Sequence, residues 1–184
     1  MGLGKQAKII SKQTEKLVIP YIDGNSVQSE RDRGIFLLSL LGGLRAKEVA
    51  ELRWGFVTTS DGSIDQFIRL PDLATKGKSG RVIPMHPRLK EALFDLYKIE
   101  MAKKGEARMD APVIRSIRGG SMSANSITVY FSLLYKKLNL EGCSSHSGRR
   151  TFITRTAREI SRHGGSLRDI QILAGHSSIA ITQL

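Results

Sequence analysis

The sequence predicts an α+β fold, mostly helical, with one small antiparallel β-sheet. Three observations carry that prediction. Most of the 184 residues fall in stretches of helical length whose apolar residues recur every three or four positions. The stretch from Trp54 to Pro84 breaks that rhythm into short apolar runs divided by glycine-bearing turns. Hydrophobic residues make up 40% of the chain and charged residues 25%, which suits one globular domain with a real core.

Taken in order, residues 1–11 are basic and weakly patterned and read as a mobile arm. With the start of the first helix they form a leading segment, residues 1–25, ahead of a single domain over residues 26–184. Ser11 to Ile22 reads as that helix, with Leu17, Val18 and Tyr21 as its apolar face and Asp23-Gly24-Asn25-Ser26 as a turn after it. From Gln28 a second helix runs through Ile35, Phe36, Leu37, Leu38, Leu40 and Leu41. It is apolar nearly all round, so it should be buried, and Gly42-Gly43 stops it. Ala46 to Leu52 forms a short third helix with Arg45, Val49 and Leu52 on one stripe. A guanidinium at the head of a core-facing stripe needs a partner. Taken alone, Arg45 is best explained by snorkelling or by pairing with Glu48 one turn on.

Phe56-Val57-Thr58, Phe67 to Leu70 and Arg81-Val82-Ile83 read as strands, the last preceded by the basic glycine-rich turn Lys76-Gly77-Lys78-Ser79-Gly80. Pro87 sits at the first position of a helix reaching about Met101, with Leu89, Leu93, Leu96 and Tyr97 inward. Ser123 caps a helix through Leu138. Ser147 opens another, with Phe152, Ile153, Thr156 and Ile160 on one stripe and Arg149 at its head, while Arg155, Arg158 and Arg162 share a solvated or nucleic-acid-facing side. Ser166 caps a helix that Gly175 ends, and Ser177 or Ser178 caps a last one.

A net charge of +12 points to a polyanionic partner, and its uneven distribution favours nucleic acid over mere solubility. No acidic residue lies between Asp110 and Glu141, whereas Arg115, Arg118, Lys136 and Lys137 do. The single cysteine, Cys143, allows no internal disulfide and suits a reducing compartment. No apolar run approaches a membrane span, so the reading is a cytoplasmic protein with no membrane partner. Cys143, His146, His163 and His176 match no zinc-ligand spacing, and no phosphate-loop spacing occurs. No metal and no cofactor is expected.

The densest chemistry lies between Cys143 and Thr154. There His146, Arg149 and Arg150 crowd a helix start. An imidazole moves a proton near neutral pH. A guanidinium grips a phosphate through two parallel hydrogen bonds. The helix start adds backbone N–H groups that favour an anion. Arg149 repeats the placement of Arg45, which points to two guanidiniums converging on one anion.

The order of these motifs resembles the tyrosine recombinases of the phage integrase family. Gly43-Leu44-Arg45-Ala46-Lys47-Glu48 resembles the first arginine box, and Lys76 to Pro84 the β-hairpin lysine segment. His146-Ser147-Gly148-Arg149 matches the His-x-x-Arg box, and Leu173-Ala174-Gly175-His176-Ser177-Ser178 resembles the Leu-Gly-His box. The resemblance implies the family's catalytic fold and duplex DNA as substrate. It also implies strand cleavage and rejoining through a 3′-phosphotyrosine without metal or ATP, and self-association into a dimer or tetramer on DNA. Carried onto this chain, Arg45 and Arg149 clamp the scissile phosphate and stabilise its transition-state charge. Lys76 protonates the departing 5′ oxygen. His146 shuttles the nucleophile's proton, His176 hydrogen-bonds the phosphate, and Glu48 supports Arg45. Lys78, Arg81, Arg115, Arg118 and Arg150 are expected along the DNA backbone.

Three departures from the family pattern stand out. The nucleophilic tyrosine should follow the histidine of the last box by nine residues, one position beyond Leu184, and Tyr21, Tyr97, Tyr130 and Tyr135 do not occupy that place. The expectation is a chain cut just before its nucleophile and unable to cleave as it stands. A natural DNA-binding remnant, a type IB topoisomerase-like relaxing enzyme and an RNA-binding protein are the alternatives. The second is at the front, where the family's usual DNA-clamping N-terminal domain is missing, and the expectation is a trimmed chain or a catalytic-domain-only recombinase. The third is Gly148, where the family commonly has an apolar residue, and looser packing is expected there.

Overall fold

The computed structural model describes residues 6–71, 80–105, 108–164 and 166–175. Seven helices and one two-stranded sheet are found there: α1 Lys12–Asn25, α2 Ser29–Gly42, α3 Ala46–Glu51, β1 Phe67–Leu70, β2 Arg81–Pro84, α4 Pro87–Lys104, α5 Ala124–Lys137, α6 Ser147–Arg162 and α7 Leu167–Ala174. Helix α2 is the axis. Its residues Ile35 to Leu38 and Leu40 are buried, and α1, α4 and α6 pack around it. That is the arrangement a helix apolar on every side requires. Among the described residues no helix is long and apolar enough to cross a membrane.

Caps set the helix ends. Ser11, Ser123 and Ser166 each accept a hydrogen bond from a first-turn N–H of α1, α5 and α7. Gly43 and Gly175 close α2 and α7 in the left-handed region, at φ 65° and 59°. The sheet pairs Ile68 with Ile83 and Leu70 with Arg81. Side chains alternate across it, so Ile68, Leu70, Arg81 and Ile83 all point inward.

Four expectations need correction. Helix α1 continues through Asn25 rather than turning at Asp23, because Ser26 N–H still reaches the Ile22 carbonyl at 3.0 Å. Its buried face is Glu15, Val18 and Ile22, while Leu17 is exposed. Phe56 to Thr58 is not a strand. Trp54 to Phe56 forms a short 3₁₀ turn, and Thr58 makes only an isolated bridge to Ile64. Residues 6–11 are no free arm. Ile10 is buried, its N–H donates to Thr151 Oγ1 at 2.7 Å, and Arg150 donates to the Ala7 carbonyl at 2.8 Å. These partners lie some 140 residues away, so no local pattern announces them.

The fourth concerns Gly148. A Cβ there would stand 2.5 Å from Ser39 Oγ and 3.0 Å from the Ser39 carbonyl carbon. The glycine therefore brings the first turn of α6 into direct contact with α2, which is tighter packing than an apolar residue permits. This contact holds the His-x-x-Arg segment against the central helix. The last helix expected from Ser177 lies outside the described residues.

Candidate active site

Glu48, in the first turn of α3, is the hub of the site. A carboxylate offers about four acceptor positions, and in Glu48 four donors fill them. Oε1 accepts from Arg81 Nη1 at 2.8 Å and Arg45 Nη1 at 2.9 Å. Oε2 accepts from Arg81 Nη2 at 2.9 Å and from the Arg45 backbone N–H at 2.7 Å. Arg149 Nη1 lies 3.9 Å from Oε2, an ion pair without a hydrogen bond. The side chains form a ladder of depth. Glu48 is 1% exposed, Arg81 2%, Arg149 7% and Arg45 25%. Arg45 thus stands at the mouth and Arg149 behind it.

Two helix ends complete the cluster. Arg149 Nη1 donates to the Gly43 carbonyl at 2.5 Å, just past the end of α2, and Nη2 donates to the Ala174 carbonyl at the end of α7. Arg45 Nη2 donates to the Gly175 carbonyl at 3.2 Å. Helix C-termini carry partial negative charge, so both ends suit guanidinium partners. The two glycines are required sterically as well. A Cβ on Gly43 would stand 2.3 Å from the Phe152 ring, and one on Gly175 would stand 2.6 Å from Arg81 Nη1. Gly43 and Gly175 therefore belong to the site through their carbonyls and their lack of a side chain.

The electrostatics favour an anion. Three guanidiniums meet one carboxylate, a net charge of +2. Burial opposes the Glu48 charge more than any other single influence. The hydrogen bonds and charge of Arg81, helped by the Arg45 N–H and Arg149, outweigh it and hold Glu48 below its ordinary range. Burial and then the neighbouring Arg45 pull Arg149 down to about 9, with Glu48 opposing them. Arg149 stays charged at neutral pH, and beyond its burial the neighbouring guanidiniums leave an excess of positive charge in the cluster. An incoming phosphate would relieve that excess.

The structure brings Arg45, Glu48 and Arg149 together. His146 occupies the N-cap position of α6, exposed, three residues before Arg149. Lys76, Lys78 and His176 lie outside the described residues. Arg81, expected along the DNA backbone, lies inward on β2, and its two bonds to Glu48 bury it within the cluster. Arg115 is engaged by Glu100 through two bonds, at 3.0 and 2.6 Å, and by the Gly119 carbonyl, so much of its charge is answered internally. Arg150 is partly buried and pins residue 7, whereas Arg118 is exposed. Arg155, expected on a solvated side, donates to Glu15 at 3.0 Å and the Ile10 carbonyl at 3.2 Å.

No tyrosine among the described residues is bonded to the cluster. Tyr130 donates to the Asp32 carbonyl, Tyr135 stacks on Phe131, Tyr97 meets Trp54 edge-on, and Tyr21 packs on the core from α1. Burial pushes Tyr130 and Tyr135 well above the usual phenol range, the opposite of what an attacking oxygen needs.

The sequence model of the phage integrase family matches residues 8–184. Tyrosine recombinase XerC of Xylella fastidiosa (strain 9a5c) is 29% identical over 154 residues, which cover 84% of this chain and 47% of the relative. XerC of Myxococcus xanthus is 29% identical over 184 residues, covering 96% and 56%. The chain thus spans about half the length of these relatives. Among solved structures, XerA recombinase superposes with a TM-score of 0.72 at 22% identity, over 97% of this chain and 59% of that one. A λ integrase dimer bound to a COC′ core site gives 0.73 at 18% identity, over 100% and 48%. The mostly helical fold with a small antiparallel sheet is therefore the fold of tyrosine recombinase catalytic domains, and the chain belongs to the phage integrase family.

Proposed function

We propose that the chain is the catalytic domain of a site-specific DNA recombinase. It binds a duplex through phosphates and activates one of them for cleavage and rejoining through a 3′-phosphotyrosine. The observation that carries this reading is the under-compensated guanidinium cluster around Glu48, with Arg45 at its mouth and His146 exposed at the start of the same helix as Arg149. Donors fixed before the reaction stabilise charge that develops on a phosphate without reorganising. Arg45 and Arg149 receive the non-bridging oxygens. His146 handles the nucleophile's proton. Following the family pattern, Lys76 protonates the leaving 5′ oxygen and His176 bonds the phosphate. Within residues 1–184 no tyrosine is placed to attack, so this segment by itself binds DNA and forms no covalent link. Protomers pair as dimers or tetramers on DNA, in the cytoplasm.

Duplex binding by the 184-residue chain, followed by fluorescence anisotropy, tests the reading. Affinity should fall linearly with salt on logarithmic axes. For six to ten neutralised phosphates the loss is roughly 10³- to 10⁵-fold between 50 and 200 mM salt. Replacing exposed Arg118 with Ala should reduce the slope by about one. Binding indifferent to salt, or no duplex binding at 50 mM salt, would count against it.

A further inference from the structure

We propose that Arg81 is a positioning residue that ties strand β2, which follows the segment carrying Lys76, to the phosphate-binding arginines, and that it acts through Glu48. This rests on the recombinase reading above. Arg81 is the first residue of β2, on the C-terminal side of the segment that carries Lys76. The strand register puts it opposite Leu70 and facing inward with Ile83. Its guanidinium then takes one acceptor position on each Glu48 oxygen, at 2.8 and 2.9 Å. The other two positions go to Arg45, through its backbone N–H and its Nη1. Arg81 therefore fixes the plane of the carboxylate that aims Arg45.

The third connection runs to α7. The Gly175 backbone packs directly on the Arg81 guanidinium, leaving no room for a side chain. The Gly175 carbonyl accepts from Arg45, and the neighbouring Ala174 carbonyl accepts from Arg149. One buried side chain thus joins strand β2, the first arginine box and the end of α7. A planar fork makes two parallel bonds to a carboxylate, whereas an ammonium is a single point charge. Lysine at position 81 would keep the charge and lose the alignment.

The test measures single-turnover cleavage at saturating DNA, together with DNA affinity and its salt slope, in the full-length gene product. Arg81→Lys should lower cleavage about 30-fold or more, with affinity within twofold of wild type and the salt slope unchanged. A salt slope reduced by about one with normal cleavage would make Arg81 a backbone contact and overturn the proposal. Cleavage within threefold of wild type would overturn it as well. Should Arg81→Lys melt below the assay temperature, Glu48→Gln is compared with Glu48→Gln/Arg81→Met. A residue acting only through Glu48 adds less than a twofold further loss, whereas a tenfold further loss contradicts the proposal. Arg149→Ala separates the two readings. A wild-type protein that does not cleave, or cleavage that survives Arg149→Ala, fails the recombinase reading and this inference with it. Cleavage lost in Arg149→Ala but intact in Arg81→Lys fails this inference alone.

Discussion

Glu48 concentrates the physics of the site in one side chain. A buried carboxylate is costly unless paired, and removing one member of a buried network leaves the others uncompensated. Glu48→Gln should therefore destabilise the fold by about 3 kcal/mol or more, lowering the melting temperature by roughly 6–12 °C for a chain of this size. The pH dependence has a definite sign. The folded state holds Glu48 below its ordinary value of 4.5, so its contribution is complete above that value and is lost as pH falls through the depressed folded value. The stability gap between wild type and Glu48→Gln, measured by urea unfolding, should stay constant from pH 7 to about 5 and shrink below about 4.5. A gap that widens in acid would reverse the assignment.

At this scale the sequence shows Arg45 and Arg149 because both head core stripes where a lone charge has no business. Arg81 was readable in principle. Strict alternation with Ile83 already puts it inward, but a basic residue beside a lysine-rich turn draws the eye to DNA instead. The carbonyls of Gly43, Ala174 and Gly175 carry no side-chain signal. Only the glycines themselves, each just past a helix end, hint that the backbone there is used.

Between elements, the α2–α6 contact decides whether the His-x-x-Arg segment is held. Gly148 allows it, since a methyl group there would meet both the hydroxyl and the backbone of Ser39. Gly148→Ala should cost about 1–3 kcal/mol through overpacking. Because the displaced turn carries Arg149, it should also slow cleavage by more than that stability loss explains. Thermal unfolding alongside single-turnover kinetics checks this, and a variant as stable and active as wild type would refute the close contact. Helix identities were largely legible because capping serines, Pro87 and terminal glycines punctuate the chain. Phe56 to Thr58 misled because its apolar run suits a strand, yet the Trp54 and Gly55 N–H groups bond to the distant carbonyls of Ala111 and Met109 instead. Residues 6–11 misled for the same reason: long-range partners on α6 order a segment with no pattern of its own.

Over the whole molecule, the proposed function has a charge of +12 supply long-range attraction to DNA and the site supply local aim. On that proposal the two are separable: exposed cations such as Arg118 would bear on affinity and buried ones such as Arg149 on chemistry. The central claim is that the guanidinium cluster activates a DNA phosphate for attack by tyrosine. The most direct measurement is covalent trapping of the full-length gene product on a nicked duplex carrying its recombination site, resolved on a denaturing gel. Wild type should form a DNA–protein adduct, and Arg149→Ala should reduce its rate by 10²-fold or more while DNA affinity stays within a few-fold. An adduct that forms at the wild-type rate in Arg149→Ala would contradict the account.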